Sequence, residues 1–289
     1  MDKGFVVSAE TLITSQITHN QFPMTNICVQ KLFIYPFKGL SAQKCTCVDL
    51  QVGHGIPGDR SFALMFKEDA QYPDSTKVPW MKKHNFAMQN DWAGLAALDC
   101  DYEAATSTLT VKRKGVELLV ADTNSTSGRD SIATFFTGYL AGIYPSQVAR
   151  HPNRAPLQVV GKFGKTRYPD REAVHISLVS QATLNHLSEI AGQQVDVRRF
   201  RPNIVLDNVP AWGEFDWVGK QMQLGTARIV ITARINRCLN IEVNPETGER
   251  DISLLSLLQK NFQHTQTGVL AQVITNGTVA TGDSLRSAQ

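Results

Sequence analysis

The sequence predicts an α+β protein that is mainly β, with few helices. Two observations carry this. Apolar residues recur in short alternating or fully apolar runs bounded by Gly and Pro, the pattern of strands. Helical spacing holds over only three stretches, Asp130 to Leu140, Ser180 to Ala191 and Ser253 to Phe262. Short strands with turn residues between them point to a barrel or a sandwich. At 289 residues the chain can bury one large core or two modest ones.

Cys28 to Tyr35 reads as the opening strand. Cys45 to Val52 alternates, with Cys45 and Cys47 on one face and Val48, Leu50 and Val52 on the other. Ser61 to Phe66 reads as a buried strand. Leu109 to Arg113, the turn Lys114-Gly115 and Val116 to Val120 form a β-hairpin. The first helix places Ile132, Phe135, Phe136, Tyr139 and Leu140 at helical spacing, and Gly142 stops it. Pro145, Pro152, Pro156, Gly161 and Gly164 follow in a polar, basic stretch, the best position for a boundary. Val174 to Val179 is a strand, and Ser180 caps a helix that turns Leu184, Leu187 and Ile190 inward and stops at Gly192. Further strands are expected at Ile204 to Asp207, Met222 to Leu224, Ala227 to Ala233 and Cys238 to Val243. After the third helix, Leu270 to Thr275, Asn276-Gly277 and Thr278 to Thr281 read as a terminal hairpin.

Lys and Arg number 29 against 26 Asp and Glu, a net charge of +3. That excess argues against a DNA-coating protein and against an acidic disordered tail, and leaves room for a local basic pocket. No nucleic-acid partner is expected. Five cysteines, an odd number in a long chain, make no disulfide framework and indicate a reduced, cytoplasmic protein. The longest apolar runs, such as Ile229 to Thr232 and Ala133 to Leu140, fall far short of the roughly 20 residues of a spanning helix, so no membrane partner is expected. Residues 1–23 lack the apolar core of a signal peptide and read as a poorly ordered extension, with a short docked helix from Ser8 to Ile17 as the alternative.

Several apparent motifs are structural. Gly53-His-Gly55-Ile-Pro-Gly58 matches a dinucleotide fingerprint in letters, but a strand follows it where a helix N-terminus is required. Gly161-Lys-Phe-Gly164-Lys165-Thr166 resembles the end of a phosphate loop but has Val159 at the first glycine position and Pro169 soon after. Cys45-Thr-Cys47 favours two buried thiols on one face. His175 on an apolar strand favours a hydrogen-bonded core residue. Zincin spacing, a C-x-x-C pair, an iron–sulfur series and a Gly-x-Ser-x-Gly element are all missing from the sequence.

Three features remain: Ile34-Tyr-Pro-Phe-Lys38-Gly39, Gly58-Asp59-Arg60, and the set Phe200-Arg201-Pro202-Asn203-Ile204, Asn236-Arg237-Cys238 and Asn244-Pro-Glu-Thr-Gly248. A thiol beside a fixed positive charge has its thiolate favoured, as a metal ligand or nucleophile needs. Taken alone, this reading of Cys238 and that of a buried strand cysteine beside a surface arginine are evenly matched.

These segments resemble the MOSC family, the domain named for the C-terminal part of molybdenum cofactor sulfurases. Lys31 to Gly39, Gly58 to Arg60 and Lys83 to Asp99 resemble its N-terminal β-barrel subdomain, and the later segments resemble the MOSC domain proper. The layout is similar to the mitochondrial amidoxime-reducing component and its bacterial relatives. The resemblance implies a MOSC β-barrel over residues 146–289 and a smaller barrel-like subdomain over 24–145. It implies a molybdenum cofactor, with Cys238 as the catalytic cysteine and thiolate ligand to the metal; soft sulfur suits molybdenum. Lys38, Arg60, Arg201 and Arg237 match positions that hold the cofactor, where Arg suits its phosphate. Ser180, Asn203 and Asn236 are expected hydrogen-bonding partners. The basic stretch Arg150, Arg154, Lys162, Lys165, Arg167 and Arg171 rims the cleft or is simply a solvated loop. The family is also associated with pyridoxal phosphate, to which no residue here is assigned. Close reductase-type members have Ser after the turn lysine where this chain has Gly39, and a small residue is common where it has Asn236. The implied activity is reduction of a small N-hydroxylated substrate, with electrons from a separate ferredoxin or flavin reductase. The alternative is a sulfur carrier using a Cys238 persulfide, or a cofactor-handling protein without turnover.

Overall fold

The computed structural model describes residues 27–67, 79–145 and 156–288. The expected extension and its alternative helix lie outside them, as do Arg150 and Arg154. Among the described residues no helix is long and apolar enough to cross a membrane.

The opening strand, β1 (Cys28–Ile34), carries Val29, Leu32 and Phe33 almost fully buried, so it needs partners on both edges. It finds them far along the chain and close by: antiparallel β11 (Ile204–Asp207) on one side and antiparallel β3 (Gln43–Cys45) on the other. The resulting eight-stranded sheet runs β16 (Leu285–Ser287), β12 (Gln221–Leu224), β13 (Ala227–Asn236), β14 (Gln266–Thr275), β10 (Ile176–Ser180), β11, β1, β3. One face of it packs Leu32, Ile176, Leu206, Ile229 and Val269 into the first core. The other carries Phe33, Val179 and Val205 against α2 (Gln181–Ala191) and α3 (Leu254–Phe262). A second core collects Phe37, Phe62, Trp92, Leu109, Ile132 and Phe136. It lies among β2 (Phe37–Lys38), β5 (Phe62–Phe66) and β9 (Leu157–Gly161), the meander β6 (Asp99–Glu103), β7 (Thr108–Arg113) and β8 (Val116–Asp122), and α1 (Thr126–Ala141).

The α+β class with few helices is as expected, and so is the β7–β8 hairpin, whose turn places Lys114 and Gly115 at φ 50° and 78°. Four details differ. The large sheet is not closed into a barrel by a strand ladder. Its ends approach through irregular bonds instead, from Val29 N–H to Asp283 O and from Leu285 N–H to Ile27 O. A single boundary at residue 145 does not describe the chain, because β1 belongs to the large sheet while β9 completes the smaller one. The expected terminal hairpin does not form: β13 and β10 occupy both edges of β14, and β15 (Gly277–Ala280) pairs with β4 (Cys47–Leu50). The Asn276 side chain, accepting from Val52 N–H at 2.7 Å, steers it there. Cys238 to Val243 is not a strand; Leu239–Glu242 forms a 3-10 turn.

The two-thiol expectation is also revised. The ladder changes partner at Thr46, which leaves Cys47 exposed and Cys45 and Cys28 half-buried; Cys100 alone of these is buried. Helix α1 starts earlier than the spacing suggested because Ser125 caps it, accepting from Gly128 N–H at 3.1 Å.

Gly161 ends β9 at φ 102°, and a Cβ there would stand 2.1 Å from Ser61 O. Gly161→Ala is expected to destabilise by more than about 1 kcal/mol, read as a lower midpoint in urea, because neither backbone can give way.

Candidate functional site

β1 ends at Ile34 and Pro36 turns the chain into β2, so Tyr35 stands at the seam between the cores, 1% exposed. Its N–H donates to Asp59 Oδ1 at 3.0 Å. Asp59 is fully buried and receives Arg60 Nη1 at 2.7 and 2.6 Å on its two oxygens, with Arg167 Nη2 3.2 Å from Oδ2. Burial pushes the Asp59 pKa up, but the two guanidiniums outweigh it and hold the group below the ordinary carboxylate value. Arg60 and Arg201 both sit in the left-handed region, at φ 52° and 51°, a strain of about 1–3 kcal/mol each that marks a constrained site. Their guanidinium carbons lie 4.6 and 4.2 Å from the Tyr35 ring centre, a cation–π arrangement. The ring is pinned in turn by its hydroxyl, which donates to Pro202 O at 3.1 Å.

Around this seam opens a cavity of about 530 Å³, inside the roughly 300–1,000 Å³ range of cofactor and ligand sites. Nine of its lining residues are Lys or Arg and one, Asp170, is a carboxylate. The mild net charge of the chain therefore hides a strongly positive interior.

Seven of the eight expected site residues line this cavity: Lys38, Arg60, Arg201, Asn203, Asn236, Arg237 and Cys238. Lys38, 2% exposed, donates to Tyr168 O at 3.0 Å and to Asp170 Oδ1. Burial lowers its pKa against the pull of Asp170, while Lys38 holds the Asp170 carboxyl below its usual range. Arg201 Nη1 donates to Leu40 O, and Arg237 donates to Phe200 O at 2.9 Å and to Thr267 O. Neither has an ion-pair partner among the described residues. Desolvation brings both down to about 10, so both stay charged at neutral pH. Cys238 follows β13 and is exposed. Asn236 is exposed and accepts from Gln266 Nε2 at 3.1 Å.

Two placements change the expected roles. Ser180 is fully buried away from the cavity. It caps α2, accepting from Ala182 N–H at 3.1 Å, and donates to Val209 O at 2.8 Å. Asn203 lines the cavity, but its amide is consumed internally: Oδ1 accepts from Ser177 N–H and Oγ–H at 3.1 and 3.2 Å, and Nδ2 donates to Phe33 O at 3.2 Å. It stitches β10, β11 and β1 together.

Gly39 has a physical reason. Its φ is 85° and a Cβ would stand 2.5 Å from Ala87 O, so a serine would not fit this backbone. The turn Asn244 to Gly248 stays out of the cavity and braces it. Val243 bridges Arg250, whose Nη2 donates to Asn90 O at 2.9 Å, and Nη1 to Leu239 O beside Cys238.

Of the basic stretch, Arg167 and Arg171 reach the cavity and Lys162 and Lys165 do not. His175 lines it, half-buried, rather than sitting in the core. Trp80, Lys82, His84, Asp170 and Arg199 also line the cavity, and no motif in the sequence marks them as site residues. Trp80 to Asn90 meet the Cys238 wall only across the seam, a relation without local spacing.

Residues 164–286 match the family model of the MOSC domain. The chain is similar to mitochondrial amidoxime reducing component 2 of Rattus norvegicus, 26% identical over 76% of this chain and 68% of that protein. The protein of the same name from Bos taurus is 28% identical over 77% and 68%. Among solved structures, the YUAD protein from Bacillus subtilis aligns with 91% of this chain and 97% of its own, at 13% identity and a TM-score of 0.41.

Asp59→Asn leaves Arg60 and Arg167 without their buried counter-charge and is expected to cost about 3–5 kcal/mol at neutral pH in urea unfolding. The folded pKa of Asp59 is depressed, so its contribution is present above the ordinary value of 3.8 and is lost as pH falls through the folded value. The variant should therefore show a flatter loss of stability on acidification than the wild type.

Proposed function

We propose that this protein is a molybdenum-cofactor-binding oxidoreductase that reduces N-hydroxylated compounds, with electrons delivered by a separate ferredoxin or flavin reductase. The observation that carries the reading is the convergence of an exposed thiol, Cys238, with nine cations and a single carboxylate in one cavity. The donor set fits the cofactor. A phosphate-bearing pterin needs several fixed cations, and Arg201 and Arg237 are charged without a carboxylate partner among the described residues. Buried Nε atoms of Arg199 and Arg237 also lack a partner. Soft metal needs soft sulfur, and Cys238 supplies it. The amidoxime-reducing relatives support the reductase class.

In this reading Lys38, Arg60 and Arg201 bind the phosphate and Cys238 ligates the metal. When bound, the cofactor supplies two-electron oxygen-atom chemistry. The chain binds and orients. Asp59 holds Arg60 in place, Tyr35 backs both guanidiniums, and Asn203 keeps the strands carrying them in register. Lys38 spends two of its three N–H donors on Tyr168 O and Asp170 and would meet the phosphate with the third.

Cys238→Ala purified from a cofactor-competent host is expected to fall to background molybdenum by elemental analysis, while the wild type carries close to one equivalent. Metal-free wild type, or undiminished metal in the variant, overturns the reading. A persulfide on Cys238, seen by intact mass in protein lacking molybdenum, would favour a sulfur carrier instead.

A further inference from the structure

The cavity has two tiers of positive charge, and the proposed function uses one of them. The deep tier is withdrawn from water: the Lys38 and Arg60 side chains are 2% and 17% exposed. The outer tier comes from different segments. Residues 80–83 bring Trp80, 38% exposed, with Lys82 exposed and Lys83 half-buried, and the loop before β10 brings the exposed Arg171. None of Lys82, Lys83 and Arg171 is held in an ion pair among the described residues. Asp170, the one lining carboxylate, is engaged by Lys38.

A cofactor phosphate held by the deep tier leaves the outer cations unspent. They line the cavity itself, beside an aromatic face, which favours a small molecule that enters over a protein that docks outside. Lysines and an exposed indole together recognise a planar ring bearing an anion: the ring stacks, and the charge meets mobile ammonium groups. Clefts lined by one sign of charge also concentrate the opposite charge.

We infer that the substrate is an aromatic N-hydroxylated compound carrying a negative charge, such as a carboxylate or phosphate, bound at the cavity mouth by Trp80, Lys82, Lys83 and Arg171. This rests on the proposed reductase function and names its substrate class. Atoms balance as in any N-hydroxyl reduction: the N–O bond breaks, two electrons from the donor and two protons are consumed, and water leaves.

The test compares 4-carboxybenzamidoxime with uncharged benzamidoxime on the molybdenum-loaded protein. Binding without an electron donor is followed by tryptophan fluorescence, with Trp80→Phe identifying the reporter. Wild type is expected to bind the carboxylated compound roughly tenfold more tightly, and Lys82→Gln/Lys83→Gln to lose that advantage. The preference should also shrink with added salt. Equal affinity in wild type, or a preference kept in the double variant, overturns the inference. So does an effect of the double variant confined to electron delivery from a protein donor, which would assign the rim to an acidic redox partner. Charge-selective binding with no reduction of either compound by dithionite overturns the reductase reading and leaves the anion site standing.

Discussion

The buried carboxylate of Asp59 is the constraint on which the site depends. A fully buried anion is costly unless it is paired and hydrogen-bonded, and here three elements meet that demand. Arg60 binds it from the adjacent residue, Arg167 from the loop after β9, and the Tyr35 N–H from the end of β1. Those are the points where the chain passes between its two main cores. One charge therefore aligns the cores and sets where the cavity opens between them.

Arrangement around Asp59 explains the strain nearby. Arg60 and Arg201 adopt left-handed backbone conformations that a non-glycine residue avoids unless its surroundings over-determine it. Both turn a guanidinium onto Tyr35, and Arg60 Nη2 also donates to Arg201 O at 3.3 Å. Arg201 and Arg237 are held by packing and backbone carbonyls rather than by carboxylates. That leaves Arg201 and Arg237 charged and electrostatically unspent, the condition under which a phosphate gains most from entering. Asp170 is the exception, a carboxylate already resting on the lysine that a phosphate would contact.

The smaller departures follow the same logic. Gly39 is present because the backbone at Ala87 passes too close for any side chain, and Trp80, Lys82, Lys83 and His84 line the same cavity as Cys238. Ser180 and Asn203, expected at a ligand, serve the frame instead.

Much was legible in the sequence by itself. Its periodicity determined the α+β class, the three helices, the β7–β8 hairpin and the turn at Gly53 to Gly58, because these depend on residues close in the chain. Its motifs resemble those of the MOSC family, and that resemblance pointed to Lys38, Arg60, Arg201, Arg237 and Cys238, which share one cavity. Only the tertiary structure decided what those residues face. β15 leaves β14 for β4 because both edges of β14 are taken, and β1 joins β11 across most of the chain. The amide of Asn203 is spent on Ser177 and Phe33, and Trp80 and Lys82 meet Cys238 across a seam that no local pattern encodes. Edge availability, hydrogen-bond saturation and the meeting of distant walls are properties of the packed chain, settled once the buried charge of Asp59 has drawn its partners together.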